Sequence, residues 1–321
     1  MKVLVADELS PRGIEMLRNA VGLTVDVRLG LKPAELKAVL GDYQALAVRS
    51  ATKVTADVLE AAGALKVIGR AGVGVDNIDV EAATRKNIVV MNTPGGNSMA
   101  VAELTLAMLL ALPRQLVQAV TSTKSGKWEK KRFSSGHELF QKTVGILGLG
   151  NIGSLVAQRC LAFGMTVLVY DPHPSEAARK LGLSVHFVSL EELVRRADFL
   201  TVHVPSNEQT RNLVGPSLFA QVKKGAYLVN CARGGIVDEV ALAVALKDGT
   251  LAGAAMDVFA SEPLPAESPL LALDNFLATP HLGASTEEGQ LACANQLAEQ
   301  LVEFLQRGVV RNAVNAPALK S

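Results

Sequence analysis

The sequence predicts an α/β protein built from two doubly wound parallel sheets. Short β-branched segments alternate with amphipathic segments rich in Ala and Leu, a pattern typical of parallel strands joined by helices. The length of 321 residues suits two domains of ordinary size. A glycine-rich segment, 148–153, falls between a strand pattern and a helix pattern, where ligand-binding turns of such folds occur.

The first half of the chain reads as five strands separated by helices. Pro11 and Pro33 each stand where a first helical turn tolerates a missing N–H. The predicted strands are 2–7, 24–27, 45–48, 66–69 and 88–91. The predicted helices are 11–20, 33–40, 55–62 and 79–86.

A long apolar helix is predicted from Ser98 to about Val120, followed by a second series of strands and helices. The strands of that series are 143–148, 166–170, 199–204, 226–230, 253–258 and 276–279. A last helix is predicted from about Ser285 to Arg307. The long helix near residue 98 marks the expected domain boundary.

Composition excludes several classes of protein. Lys and Arg number 32 against 31 Asp and Glu, so a nucleic-acid-binding arm and a polybasic membrane anchor are not expected. Aromatic residues are only 4%, which disfavours stacking on single-stranded nucleic acid. The three widely spaced cysteines form neither a disulfide framework nor a metal motif. The cysteines therefore suit a reducing cytosol, and we expect no metal. The early acid Asp7 argues against a signal peptide, and no apolar run reaches membrane length, so we expect a cytoplasmic protein.

The glycine-rich segment has the order strand, glycines, helix that suits a pyrophosphate. Gly148 permits the tight turn, Gly150 lets the backbone approach the phosphates, and Gly153 lets the helix pack on the strand. The first helical turn, with Asn151 and Ile152, offers free N–H groups to an anion.

An acid follows the next predicted strand at the spacing expected for ribose binding. Asp171 lies 23 residues after Gly148. A carboxylate there accepts a hydrogen bond from a ribose 2′-hydroxyl and repels a 2′-phosphate, so NAD is favoured over NADP. His173 lies close by and leaves this preference incomplete.

Three polar residues follow strands of the second half and suit hydride chemistry on a 2-hydroxy acid. His281 is a natural acceptor for the hydroxyl proton, Glu262 would hold its ring, and Arg233 would grip the substrate carboxylate. The carboxyl ends of parallel strands share one edge, so the three can meet. Taken singly, Arg233 also fits a surface ion pair, Glu262 a solvated loop carboxylate and His281 a core histidine.

At these motifs the chain resembles the D-isomer-specific 2-hydroxyacid dehydrogenases, over essentially its whole length. The residues that carry the resemblance are 49–55, 69–77, 92–94, 126–128, 148–153, 230–238, 257–259, 262–263 and 280–286. The resemblance implies a Rossmann-type NAD domain, 98–285, inserted into a flavodoxin-like substrate domain, 1–97 plus 286–321. It also implies a homodimeric or homotetrameric enzyme whose cleft closes around NAD.

The resemblance implies roles for individual residues. Arg233, Glu262 and His281 would be catalytic. The positions that contact NAD would be Val73, Gly148, Gly150, Asn151, Ile152, Gly153, Asp171, Val204, Cys231, Ala232, Arg233, Asp257, His281, Leu282, Gly283 and Ala284. The substrate would contact Arg49, Lys53, Arg70, Val73, Gly74, Arg233 and His281.

The substrate is expected to carry a phosphate, because Arg49, Lys53 and Arg70 follow strands of the first half. The other interpretation is a set of solvated surface charges. A second basic run, 127–132 around Trp128, lies in the segment that packs across a dimer interface in the family. It fits a contact with the neighbouring subunit's substrate and a solvated charge run equally well.

Three alternatives and two departures remain. A glyoxylate or hydroxypyruvate reductase, or a D-lactate dehydrogenase, would carry the same catalytic trio, and an NAD-sensing corepressor would keep the fold without rapid turnover. Val73 stands where the family often has a hydroxyl side chain near the nicotinamide. Longer relatives continue into a regulatory amino-acid-binding domain, and residues 312–317 resemble the start of that linker.

Overall fold

The computed structural model describes residues 1–174, 182 and 184–318. The chain divides into two compact units. The first unit is Met1–Ser98 with Ala284–Ser321, and the second unit is Met99–Gly283. Both are α/β, as the alternation of strand and helix patterns predicts.

The first unit contains a parallel five-stranded sheet in the order β2-β1-β3-β4-β5. This is the flavodoxin-like order, in which the chain reverses direction between β1 and β3. The strands are β1 Lys2–Val5, β2 Thr24–Val27, β3 Ala45–Val48, β4 Val67–Arg70 and β5 Val89–Met91. The helices are α1 Pro11–Asn19, α2 Pro33–Leu40, α3 Ala56–Glu60 and α4 Val80–Arg85, together with α11 Glu287–Arg307 near the end of the chain.

Helix α11 covers one face of this sheet because apolar residues recur every three or four positions along it. Cys293, Leu297 and Leu301 are buried in one core cluster with strand residues of β1, β3, β4 and β5. Helix α1 packs beside α11 so closely that a Cβ on Gly13 would lie 2.9 Å from the Cβ of Ala294. Helices α2, α3 and α4 form the core on the opposite face.

The second unit contains a parallel seven-stranded sheet in the order β12-β11-β10-β9-β6-β7-β8. The first six strands in chain order follow the Rossmann arrangement, with the reversal between β6 and β9. The strands are β6 Thr143–Leu147, β7 Thr166–Tyr170, β8 His186–Phe187, β9 Phe199–Val202, β10 Ala226–Asn230, β11 Leu251–Met256 and β12 Phe276–Ala278. The described helices are α5 Ser98–Ala111, α6 Leu116–Lys124, α7 Asn151–Ala162, α8 Leu190–Arg196, α9 Pro216–Phe219 and α10 Glu239–Lys247.

The prediction of one helix from Ser98 to Val120 is wrong. The chain bends by 70° between α5 and α6, and Gln115 adopts a left-handed φ of 47°. Pro113 lies at the break, where a proline has no N–H to continue the helix and crowds the preceding turn. Its carbonyl instead accepts a hydrogen bond from the N–H of His137, at 3.0 Å.

Two smaller points complete the fold. The short edge strand β8 was not predicted, because two residues with exposed side chains carry no strand periodicity. Within the described residues, no single helix is long and apolar enough to cross a membrane, although the bent pair α5 and α6 meets that test by length and composition alone.

Candidate functional site

The glycine-rich turn lies at the reversal point of the second sheet, between β6 and α7. Gly148 has a φ of +94°, and a Cβ there would come within 2.9 Å of the His203 carbonyl group. A Cβ on Gly153 would lie 2.1 Å from the Gly148 oxygen, so the helix can approach the strand only with glycine there. A Cβ on Gly150, by contrast, would meet no atom within 4 Å.

These features fit the pyrophosphate of a dinucleotide. The turn is open at Gly150, and α7 begins there without a side chain that caps its free N–H groups.

Beside this turn, the buried Nδ1 atom of His203 has no hydrogen-bond partner among the described residues, while its Nε2 lies 2.9 Å from the Thr201 hydroxyl. Burial lowers the pKa of His203 from 6.5 to about 3, so this ring is neutral near neutral pH.

Asp171 is held beside the turn by two backbone N–H groups. Its Oδ2 accepts from Leu149 and its Oδ1 from His173, each at 2.8 Å. The carboxylate is half-buried and keeps further lone pairs, because each ionised oxygen can accept more than one hydrogen bond. It can therefore accept further hydrogen bonds from a ligand.

The turn after β10 is organised by a buried side chain that the sequence analysis did not single out. The Asn230 amide donates from Nδ2 to the Arg233 carbonyl and accepts at Oδ1 from the Ala232 N–H, both at 3.0 Å. Gly234 lies so close to the next loop that a Cβ would stand 1.8 Å from the Phe259 oxygen. The loop that carries Arg233 is therefore fixed at its base.

Cys231, in the same turn, is buried, and burial disfavours its thiolate form. Burial raises the pKa of its thiol to about 12, and its Sγ lies 3.5 Å from the Met108 sulfur. A thiol with so high a pKa is almost wholly protonated near neutral pH and so unreactive. Its neighbour Ala232 and the residue Val204, after β9, are also buried. All three lie at the carboxyl edge of the sheet, on which the cofactor is expected.

Asp257 organises the loop that carries His281. Its carboxylate is fully buried and accepts from the Thr279 hydroxyl at 2.5 Å, the Leu282 N–H at 2.7 Å and the Gly283 N–H at 2.8 Å. Its backbone oxygen also accepts from the His281 N–H at 2.9 Å. Both carboxylate oxygens thus fix the loop, in which His281 has a φ of +55°.

His281 and Glu262 are brought together by this arrangement. The Nδ1 atom of His281 lies 2.8 Å from Glu262 Oε2, and Glu262 Oε1 accepts from the Phe259 N–H at 3.0 Å. Both side chains are exposed enough to meet a ligand. A carboxylate on Nδ1 leaves Nε2 as the nitrogen that can exchange a proton with a ligand.

The predicted phosphate-binding cations lie at the carboxyl edge of the first sheet. Arg49 follows β3 and Arg70 ends β4, while Lys53 is exposed in the loop after β3. Arg49 Nη1 donates to the Glu8 carbonyl at 3.2 Å and to Gln290 Oε1 at 3.4 Å. Val73 and Gly74, in the loop after β4, are half-buried.

The base of this edge is polar in a way that the sequence analysis missed. The buried Asp7 accepts at Oδ2 from the Arg49 N–H at 2.6 Å and the Thr52 N–H at 3.1 Å. The Asn77 amide bonds to the turn that carries Arg49 and to the side chain of Arg70. Asp7 and Asn230 both come directly after buried apolar strand residues, and that position was the available signal.

The sequence model described as "D-isomer specific 2-hydroxyacid dehydrogenase, NAD binding domain" matches residues 106–283. The chain belongs to the D-isomer specific 2-hydroxyacid dehydrogenase family. The matched range covers the glycine turn, Asp171 and the Arg233, Glu262 and His281 loops, so NAD is the cofactor that the family model assigns to this region. Within the described residues, no group of three or more His, Cys, Asp or Glu side chains could hold a metal ion.

Individual relatives agree with this family. The D-3-phosphoglycerate dehydrogenase of Methanocaldococcus jannaschii is 50% identical over 318 residues, which are 99% of this chain and 60% of that protein. This chain thus spans about 60% of the length of that curated relative. The TT0316 protein of Thermus thermophilus matches with a TM-score of 0.88 and 38% identity, over 98% of this chain and 100% of that one. An NAD+-bound 3-phosphoglycerate dehydrogenase of Entamoeba histolytica matches with a TM-score of 0.81 and 30% identity, over 98% of both chains.

Proposed function

We propose that this family member catalyses the NAD-dependent oxidation of 3-phospho-D-glycerate to 3-phosphohydroxypyruvate, the first step of serine synthesis from glycolysis. The observation that carries the proposal is the His281–Glu262 pair, in a chain about half identical to a named D-3-phosphoglycerate dehydrogenase over 99% of its own length. The first unit would bind the substrate and the second NAD.

The chemistry divides between the cofactor and three side chains. When bound, NAD would supply the acceptor for the hydride that leaves C2 of the substrate. His281 accepts the proton of the C2 hydroxyl at Nε2, because Glu262 occupies Nδ1. Glu262 stabilises the imidazolium that forms. Arg233 binds the substrate carboxylate through its guanidinium and orients C2.

The remaining proposed roles follow the positions of the side chains. Arg49, Lys53 and Arg70 bind the phosphate, since a cluster of cations matches a dianion. Val73 and Gly74 offer backbone N–H groups to the substrate. Asp171 binds the ribose, and Val204, Cys231, Ala232, Asp257 and the 281–284 loop contribute to the rest of the cofactor site.

We also propose that the protein is a cytoplasmic homo-oligomer, at least a dimer. Leu116, Val117 and Val120 lie on α6 with about half of their surface exposed, and Trp128 is 85% exposed. Apolar side chains grouped in this way favour a protein interface. Light scattering of the purified chain at several concentrations would test this, and a monomer throughout would contradict it.

Substrate preference is the decisive test. We expect NADH oxidation to be much faster with 3-phosphohydroxypyruvate than with hydroxypyruvate or pyruvate at equal concentration. Arg49→Ala should raise KM for the phosphorylated substrate about tenfold or more, equivalent to about 1.4 kcal/mol, and change KM for hydroxypyruvate little. Arg85→Ala, an exposed cation at the end of α4, is the matched control.

The other results would redirect the proposal. Preference for an unphosphorylated acid would keep the fold and catalytic roles but indicate a sister reductase. Equal effects of Arg49→Ala on both substrates would remove its phosphate role. No turnover with any of the acids would favour an NAD-sensing binding protein.

A further inference from the structure

The carboxamide of Asn77 bonds both to the turn that carries Arg49 and to the side chain of Arg70, the two arginines proposed to bind phosphate. Its Nδ2 donates to the carbonyl oxygens of Arg49 and Thr52, each at 2.7 Å. Its Oδ1 accepts from Arg70 Nε at 3.3 Å. One half-buried amide thus uses both hydrogens and its oxygen to connect the loop after β3 with the end of β4.

The backbone places Asn77 at this junction. The Val54 N–H donates to the Asn77 carbonyl at 2.8 Å, and the Asp79 N–H donates to the Val54 carbonyl at 2.8 Å. These bonds form a parallel bridge between Val54 and Ile78, outside the regular strands. The loop after β4 is thereby laid along the loop after β3, and the amide of Asn77 faces the turn that begins at Arg49.

Asp7 fixes the same turn from its other side. Its carboxylate accepts from the Arg49 N–H at 2.6 Å, and from the N–H and hydroxyl of Thr52 at 3.1 and 2.7 Å. Asp7 therefore takes the donors of the turn, while Asn77 bonds to its carbonyls. The backbone of residues 49–52 is held on both its donor and acceptor groups.

Arg70 bonds to the same amide, and the absence of a side chain at Gly72 leaves room for its guanidinium. A Cβ on Gly72 would lie 2.2 Å from Arg70 Nη1, so the guanidinium rests where any other residue at 72 would collide with it. Asn77 Oδ1 fixes the Nε side of that guanidinium. Asn77 therefore contacts both arginines, the backbone carbonyl of Arg49 and the guanidinium of Arg70.

We propose that Asn77 is a positioning residue that sets the selectivity of this site for phosphorylated over unphosphorylated 2-hydroxy or 2-keto acids, an inference that rests on the proposed function. Asn77 does not contact the reacting atoms. It holds the Arg49 loop and the Arg70 side chain in one arrangement before the ligand arrives, so that binding a dianion does not have to order them. Selective binding of the phosphate depends on this arrangement, whereas the hydride step does not.

The test compares Asn77→Ala with wild type on 3-phosphohydroxypyruvate and on hydroxypyruvate. We expect KM for the phosphorylated substrate to rise about tenfold, with kcat changed less than about threefold and KM for hydroxypyruvate nearly constant. Asn275→Ala is the matched control, because Asn275 Nδ2 also donates to two backbone carbonyls, those of Leu246 and Ala252, but in the second unit.

A double variant separates positioning from general stability. If Asn77 acts through Arg49, Arg49→Ala with Asn77→Ala should lose less selectivity than the product of the two single losses, because the amide then has less left to orient. Multiplicative losses would overturn the proposal. Asn77→Ser provides a smaller change if the alanine variant does not fold, and its melting temperature and NADH affinity show whether it is intact.

The outcomes also distinguish the two proposals. Suppose that the Asn77 variants raise KM equally for both substrates, while Arg49→Ala raises it only for the phosphorylated one. That result would overturn the role of Asn77 and leave the proposed phosphorylated substrate standing. A wild-type protein without preference for the phosphorylated substrate would overturn both.

Discussion

His281 Nδ1 lies 2.8 Å from the Oε2 oxygen of Glu262, whose other oxygen accepts from the Phe259 backbone. The glutamate is thereby fixed to its own loop and fixes the imidazole in turn. Asp257 supports the pair indirectly, because its carboxylate and backbone oxygen hold the loop that carries the histidine. His281 is thus held both at its imidazole ring and at its backbone.

The first prediction concerns this pair. His281→Ala should lower kcat for NADH oxidation by about 10²–10⁴-fold, the usual contribution of a general acid or base. Glu262→Gln should cost less, about tenfold, since an amide oxygen can still accept from Nδ1 but no longer stabilises the imidazolium with a charge. Steady-state kinetics of the two variants measures both effects.

A histidine away from the site supplies the control. His186 is exposed on the edge strand β8, and His186→Ala should keep wild-type kcat. Retention of more than half of the turnover by His281→Ala would refute its role as the proton acceptor.

The second prediction concerns the choice of cofactor. Asp171→Ala should lower the ratio of kcat/KM with NADH to that with NADPH by about tenfold or more, because the carboxylate no longer binds the ribose hydroxyl or repels a 2′-phosphate. Kinetics with both cofactors measures this ratio. Asp248→Ala is the control, because Asp248 Oδ1 accepts from the N–H two residues later, as Asp171 Oδ1 does. An unchanged ratio in Asp171→Ala would exclude the ribose assignment.

The third prediction concerns acid stability. Burial lowers the pKa of His203 from 6.5 to about 3 in the folded protein. Between these values the unfolded chain binds a proton that the folded chain does not, so stability falls as pH decreases through that window. At pH 5 the loss from this residue should be about 2 kcal/mol relative to pH 7.

Unfolding of wild type and His203→Gln at pH 7 and pH 5, without cofactor, measures this contribution. The variant should lose less stability on acidification than wild type, while His186→Gln should behave as wild type. Identical acid losses in wild type and His203→Gln would show that His203 is not kept neutral by burial.

The fourth prediction concerns the edge of the first sheet. The buried Asn315 accepts at Oδ1 from the Val90 N–H at 2.9 Å and donates from Nδ2 to the Ile88 carbonyl at 2.9 Å and the Thr84 hydroxyl at 3.0 Å. Asn315→Ala would leave these groups of α4, β5 and the turn between them without their partner. We expect a loss of about 3 kcal/mol in the free energy of unfolding of the first unit.

Urea unfolding followed by circular dichroism measures this loss, with Asn19→Ala, an exposed asparagine at the end of α1, as the control. Equal urea midpoints for the two variants would mean that the Asn315 hydrogen bonds contribute nothing measurable.

Much of the fold was predictable because strand and helix periodicities are local. The bounds of β2, β3, β7, β10 and α2 match the predicted ranges. The break between α5 and α6 was missed because the apolar pattern continues across it, although Pro113 marked the position. An apolar pattern of helical period indicates a helix, but it does not report the direction in which the chain turns.

The candidate residues were predictable for a related reason. Gly148, Asp171, Arg233 and His281 stand at the ends of recognisable strands, and parallel topology brings such ends to one edge within a sheet. The supporting roles of Asp7, Asn77 and Asn230 were missed, since what such a side chain holds depends on residues that the fold brings beside it.

The sequence by itself determined the alternation of strands and helices, the glycines of the turn and the residue types that carry the chemistry, because each depends on neighbours along the chain. Only the tertiary structure decided that Glu262 meets His281, that Asp257 holds the histidine's loop and that Asn77 joins Arg49 to Arg70. Hydrogen bonds depend on distances of a few tenths of an ångström between loops far apart in sequence, and packing of the sheets and helices sets those distances.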